Sequence, residues 1–176
     1  MNIFFLSLHP NKAARLQCDK HVVKMILETA QLLCTTIHLL AKEEDIPLGL
    51  LTRLYRVTHK NHPMAVWVRE SQANFVWTLV HGLSLCKEYT KRYKREHKTE
   101  AVLRAIRTWY KACRMTFPFT QRTRRPMCMP LEYRIRGPSI QKDVVKSYWL
   151  YYANEKKNFA KWAHGPTPAQ WEKMVQ

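Results

Sequence analysis

A chain of 176 residues with an apolar fraction of 46% is the size of one domain, spanning 1–176, with enough apolar material to bury a core. Its 30 Lys and Arg against 13 Asp and Glu leave a net charge of +17, well beyond what solubility needs, and this points to a polyanionic partner, nucleic acid first. Four glycines and no glycine-rich phosphate loop argue against a Rossmann or P-loop site, and no separate basic amphipathic tail suggests a membrane-surface protein.

The first apolar run, "IFFLSL", lacks a preceding basic region and a small-residue cleavage site, so it is expected to be neither signal peptide nor membrane span, and the protein is expected in the cytoplasm. Five cysteines, an odd number at irregular positions, fit free thiols in a reducing compartment. "HPNKAARLQ" reads as a helical turn begun at Pro10, and Asp19 as the cap of a helix reaching about Ala41. Periodicity puts Val23, Ile26, Leu27, Ala30, Leu33, Cys34 and Ile37 on its inner face, with His21, Lys24, Glu28, Gln31 and Thr35 opposite. "EEDIPLG" ends it.

A second long helix is expected from Pro63 into the basic block that contains Lys91, Arg92, Lys94 and Arg95, with Val68, Phe75, Val76, Leu79, Leu83 and Cys86 inward. Its opposite stripe would carry Glu70, Asn74, Trp77, His81, Ser84 and Glu88. A third helix covers Glu100 to Met115, and "FPFTQRTRRPMCMPLEYRIRGPS" is a long functional loop. A fourth helix, rich in aromatic core residues, follows in "QKDVVKSYWLYYANEKKNFAKWA", with a short turn after Pro168. The expected fold is mostly α: a single-domain helical bundle of about four to six helices, with at most one short N-terminal strand.

His21, Lys24 and Glu28, at i, i+3 and i+7, line one ridge of the first long helix. A lysine beside a carboxylate can attack a sugar carbon and form a Schiff base while the carboxylate protonates or stabilises the leaving group. The same spacing also occurs in an ordinary solvated ion pair. Cys18-x2-His21 and His59-x2-His62 are two pairs of soft or borderline ligands that could close a tetrahedral zinc site; without a metal, His59 and His62 are candidate helix-entry caps or acid and base groups. Asn74, Trp77 and His81 combine a stacking ring with hydrogen-bonding groups, as an extruded base requires, or pack between helices. Arg122, Arg124, Arg125, Arg134 and Arg136, with Lys91, Arg92, Lys94 and Arg95, are candidate phosphate contacts.

"QCDKHVVKMILETAQLL" and "NHPMAVWVRES", with "MPLEYR" and "YYANEKKNFAKW", resemble a small family found mostly in tailed bacteriophages and other DNA viruses; this implies a viral protein in the host cytoplasm. The segment from His62 to Lys98 is similar to the central helix of the pyrimidine dimer DNA glycosylases, and "SYWLYYANEKK" to their aromatic, lysine-rich C-terminal segment. That resemblance implies a small all-helical enzyme whose N-terminal α-amine attacks the deoxyribose C1′, with an essential glutamate on the first long helix, matched here by Glu28. The family's mature N-terminus is Thr, whereas this chain starts Met1-Asn2, which makes Lys24 the substitute nucleophile. The expected function is a DNA glycosylase and AP lyase acting on damaged or modified pyrimidines, without a cofactor and with DNA favoured over RNA. The alternative is a non-catalytic DNA- or RNA-binding protein, with zinc as a structural ion. No protein partner is legible.

Overall fold

A computed structural model describes residues 1–113 and 115–175, of which the eight α-helices account for most. They are α1 (Pro10–Leu16), α2 (Asp19–Leu40), α3 (Leu48–Leu51), α4 (Pro63–Glu70), α5 (Gln72–Tyr93), α6 (Glu100–Ala112), α7 (Ile140–Glu155) and α8 (Ala169–Val175). The chain is a single helical domain, with more helices than the four to six expected because short turns before and after the long elements also close. Among the described residues no strand forms. The expected third helix stops at Ala112, and Arg114 lies outside the described residues.

The two 22-residue helices, α2 and α5, pack along each other and form the centre of the molecule. Gly82 permits their close approach: a Cβ there would meet Thr29 Cγ2 at 2.9 Å and Leu103 of α6 at 3.2 Å. Helix α2 buries more of its circumference than one amphipathic stripe, since Val22, Met25, Ile26, Thr29, Ala30, Leu32 and Leu33 are all buried. Val23 and Leu27, expected inside, are exposed, while His21 and Thr35, expected outside, are buried. By length and composition α2 could cross a membrane; 61% of its most apolar window is buried within this fold.

The expected second helix is two. Ser71 is extended (φ −146°, ψ 141°), and its hydroxyl accepts from the Ala73 N–H at 3.2 Å, capping α5. The backbone groups freed by this break pair with the long loop: Phe119 N–H donates to Glu70 O, and Gln72 N–H donates to Phe119 O. Asn74 secures the junction. Its amide donates to Trp67 O at 2.8 Å and Thr123 Oγ1 at 2.7 Å and accepts from Thr123 N–H, so it anchors the arginine-rich loop.

The apolar N-terminal run is buried without becoming a strand. Ile3, Phe4, Phe5 and Leu6 are all at most 5% exposed. Its carbonyls are satisfied by indoles, with Trp149 Nε1–H donating to Leu6 O and Trp77 Nε1–H to Leu8 O. Burial of such side chains is worth about 1.5–3 kcal/mol each, which anchors Ile3 to Leu6 in the core. That segment positions the site described next.

Candidate active site

Helix α2 starts where Cys18, extended at the N-cap, turns the chain after α1. Tyr152 of α7 fixes this start: its hydroxyl accepts from Cys18 N–H at 3.0 Å and lies 2.7 Å from His21 Nδ1. The Phe4 ring then stacks on the His21 imidazole at 4.4 Å. Phe4 and the buried Ile3 in turn hold Met1 and Asn2 in place. Asn2 N–H donates to Glu28 Oε2 at 2.9 Å, and the α-ammonium of Met1 lies 3.9 Å from the same oxygen. From the other side Lys24, one turn earlier on α2, brings its Nζ to 3.4 Å from Glu28 Oε1.

The Asn2 side chain is clamped as well. Its amide donates to Cys128 O at 3.0 Å, and Tyr148 Oη donates to its Oδ1 at 3.1 Å. A single residue thus ties the amine to Glu28, to the long loop and to α7. The open cavity in front of Glu28 has a volume of about 560 Å³; Met1, Lys20, Lys24, Glu28 and Lys156 border it, and Phe4, Tyr151 and Phe159 provide its rings. Lys156 Nζ sits 4.8 Å over the Tyr151 ring, and Lys20 Nζ 5.4 Å over Phe159. The α-ammonium and three lysines border the cavity that holds this one carboxylate, an environment that attracts anions.

Burial, reinforced by Lys156 and Lys24, lowers the His21 pKa to about 3. His21 is therefore a neutral ring that seats Phe4 and holds Tyr152 at the cavity wall. His62 caps α4, its Nδ1 accepting from Met64 N–H at 3.1 Å. Its pKa is lowered first by burial, then by the N-terminal ammonium and His59, against an upward pull from Glu28. His59 is exposed, in a left-handed backbone conformation (φ 47°). Among the described residues no group of three or more His, Cys, Asp or Glu side chains is placed to hold a metal ion, so Cys18 and His21 do not meet His59 and His62.

The stripe expected to receive a base is in the core. Asn74 is fully buried, and Trp77 and His81 are each 1% exposed. Trp77 and His81 stack at 5.0 Å, and His81 reaches Pro10 O and the Gln17 amide. Burial lowers the His81 pKa to about 4, only partly offset by its bond to Pro10 O. The N-terminal run and α1 lie on the face of α5 that the periodicity left to solvent, while Val76, expected inside, is exposed.

The basic residues also divide. Arg92 is buried and bonds Asp19 Oδ1 at 3.0 Å, with Glu88 one turn away at 3.4 Å. Arg125 is buried too, donating to Leu8 O at 3.2 Å beneath the Phe5 and Trp77 rings. Both guanidinium groups are held inside the fold by protein acceptors. Lys91, Lys94, Arg95, Arg122, Arg124, Arg134 and Arg136 are exposed. Arg134 donates through Nε to Met129 O at 2.9 Å, which leaves its two terminal nitrogens free. It borders both the hollow with His62 and Cys128 and the one with Arg124 and Arg136, so the arginine loop leads toward the clamped N-terminus.

Sequence reasoning singled out Glu28 and Lys24 but missed Asn2, Tyr148, Tyr151, Phe159, Lys20 and Lys156 as site residues. For Tyr148, Tyr151, Lys156 and Phe159 the only local signal was the aromatic and lysine-rich character of the last long helix and its end; Asn2 and Lys20 had none. No protein-family model, curated protein or solved structure matches the chain, and the site is therefore read from its own geometry.

Proposed function

We propose that the protein is a DNA glycosylase with AP lyase activity that acts on damaged or modified pyrimidines. The observation that carries this reading is the placement of two primary amines, Met1 N and Lys24 Nζ, on the two oxygens of one carboxylate in an aromatic-lined cavity of a strongly basic chain. Amine nucleophile, adjacent carboxylate and a place for an unstacked base are the three parts this chemistry needs. The resemblance to pyrimidine dimer glycosylases supports the same assignment.

In this reading the neutral α-amine of Met1 attacks the deoxyribose C1′. The new N–C1′ bond forms as the C1′–base bond breaks, and the base leaves with that electron pair and takes up a proton. Glu28 accepts the proton lost by the attacking nitrogen and returns it to O4′ as the sugar ring opens to an iminium ion. Loss of a C2′ proton then expels the 3′ phosphate, and water releases the amine. Tyr151 and Phe159 offer stacking to the extruded base, Lys20, Lys24 and Lys156 offer contacts to its flanking phosphates, and Arg134 and Arg136 offer contacts farther along the strand. Lys24, 70% exposed, is the second amine able to attack.

Borohydride reduction during reaction with abasic and ultraviolet-irradiated duplex DNA tests the reading. A covalent protein–DNA adduct mapping to Met1 or Lys24 is the expected result. Tight DNA binding with no adduct on either substrate would instead favour a non-catalytic nucleic-acid-binding protein.

A further inference from the structure

A second groove lies between α5 and α6, with a volume of about 360 Å³. One wall is the ridge Val76, Val80, Leu83 and Lys87, at i, i+4, i+7 and i+11 of α5; the other is Glu100, Arg104, Arg107 and Lys111, with the same spacing on α6. The first wall is apolar for most of its length, and Val76 is 39% exposed. The second is a rail of three exposed cations. Eleven residues of helix make the groove about 16 Å long, the length of three helical turns.

We propose that this groove docks an acidic amphipathic helix of a partner protein. Apolar residues on one face of such a helix would cover Val76, Val80 and Leu83, while Asp or Glu on the adjoining edge would meet Arg104, Arg107 and Lys111. Charge selects the occupant. A second copy of this chain brings net charge +17 toward the same rail, and a phosphodiester strand would leave the apolar wall uncovered. The end of the groove also has polarity. Glu100 is 6% exposed, and its Oε2 is buried with no hydrogen-bond partner among the described residues, while its other oxygen pairs with Arg104.

The test uses a fluorescein-labelled 14-residue helical peptide with leucines at i, i+3, i+4 and i+7 and glutamates flanking them. It is titrated against the intact protein alongside the same peptide with lysine replacing glutamate, and the shifted backbone amides are mapped. Expected are saturable binding of the acidic peptide, amide shifts confined to residues 76–87 and 100–111, no binding of the lysine peptide, and at least tenfold weaker binding to the double variant R107E/K111E. These two positions are exposed, so the variant keeps its fold, and V80D weakens binding independently. Absence of saturable binding, shifts centred on Glu28 or the arginine loop, or undiminished binding to R107E/K111E would overturn the proposal. Displacement of the peptide by a 14-nucleotide single strand, with the same amides shifted, would reassign the groove to nucleic acid.

Discussion

The backbone N–H of Asn2 donates to Glu28 Oε2 at 2.9 Å, across 26 residues of sequence, and this bond is what places the chain's first amine against a carboxylate. The bond needs the apolar run behind it, since Phe4 stacked on His21 and the buried Ile3, Phe5 and Leu6 leave Asn2 nowhere else to go.

Glu28→Gln keeps an acceptor for Asn2 but removes the charge and the proton carrier. Strand cleavage at abasic sites should fall by about 10²–10⁴-fold, with DNA affinity within about twofold of the parent by the scale of an isolated surface contact. Quantified cleavage and fluorescence anisotropy on the same preparations check it, and unchanged cleavage would remove Glu28 from the chemistry.

The two amines can be separated. Selective acetylation of the α-amine should abolish the borohydride-trapped adduct, while Lys24→Ala should leave an adduct that peptide mass mapping places on residue 1. An adduct that survives acetylation and vanishes in Lys24→Ala would assign the nucleophile to Lys24 instead.

Two histidines make stability depend on pH. His21 and His81 are neutral in the fold, with pKa values near 3 and 4, but titrate near 6.5 when unfolded. The unfolded chain therefore binds more protons below pH 6.5, and their contribution, on the order of a few kcal/mol each, is fully present above that pH. It is lost as pH falls from 6.5 toward 4. Urea midpoints measured from pH 7 to pH 4 should decline steadily, and a flat profile would contradict the buried neutral imidazoles.

Arg92 and Arg134 should separate stability from binding. Arg92→Ala leaves Asp19 and Glu88 without their buried partner and should cost about 3–5 kcal/mol in chemical denaturation, with little effect on DNA affinity under conditions where the variant is folded. Arg134→Ala should leave stability unchanged and weaken DNA binding while lowering the salt-dependence slope by about one. The opposite pattern would mean that burial misassigns them.

Gly82→Ala puts a methyl into Thr29 and Leu103 where α2, α5 and α6 meet. Overpacking of this kind costs about 1–3 kcal/mol, read as a lowered midpoint of thermal unfolding. The companion Gly49→Ala, with open space around the added Cβ, should be near neutral.

By itself the sequence determined the helical class, the positions of α1, α2, α6 and α8 to within a few residues, the pairing of Lys24 with Glu28 one turn apart, and the net charge. These are local properties, set by periodicity, proline and charge. The break at Ser71 was not local: it exists because Phe119, far along the chain, supplies hydrogen bonds to the backbone groups it frees. The same reason separates the arginines. Arg92 and Arg125 look like their exposed neighbours until Asp19 and Leu8 are brought against them. The site followed this rule most closely. Spacing identified Glu28, but only the burial of Ile3, Phe4, Phe5 and Leu6 decided that an α-amine stands beside it, because a chain end has no periodicity from which its partner can be read.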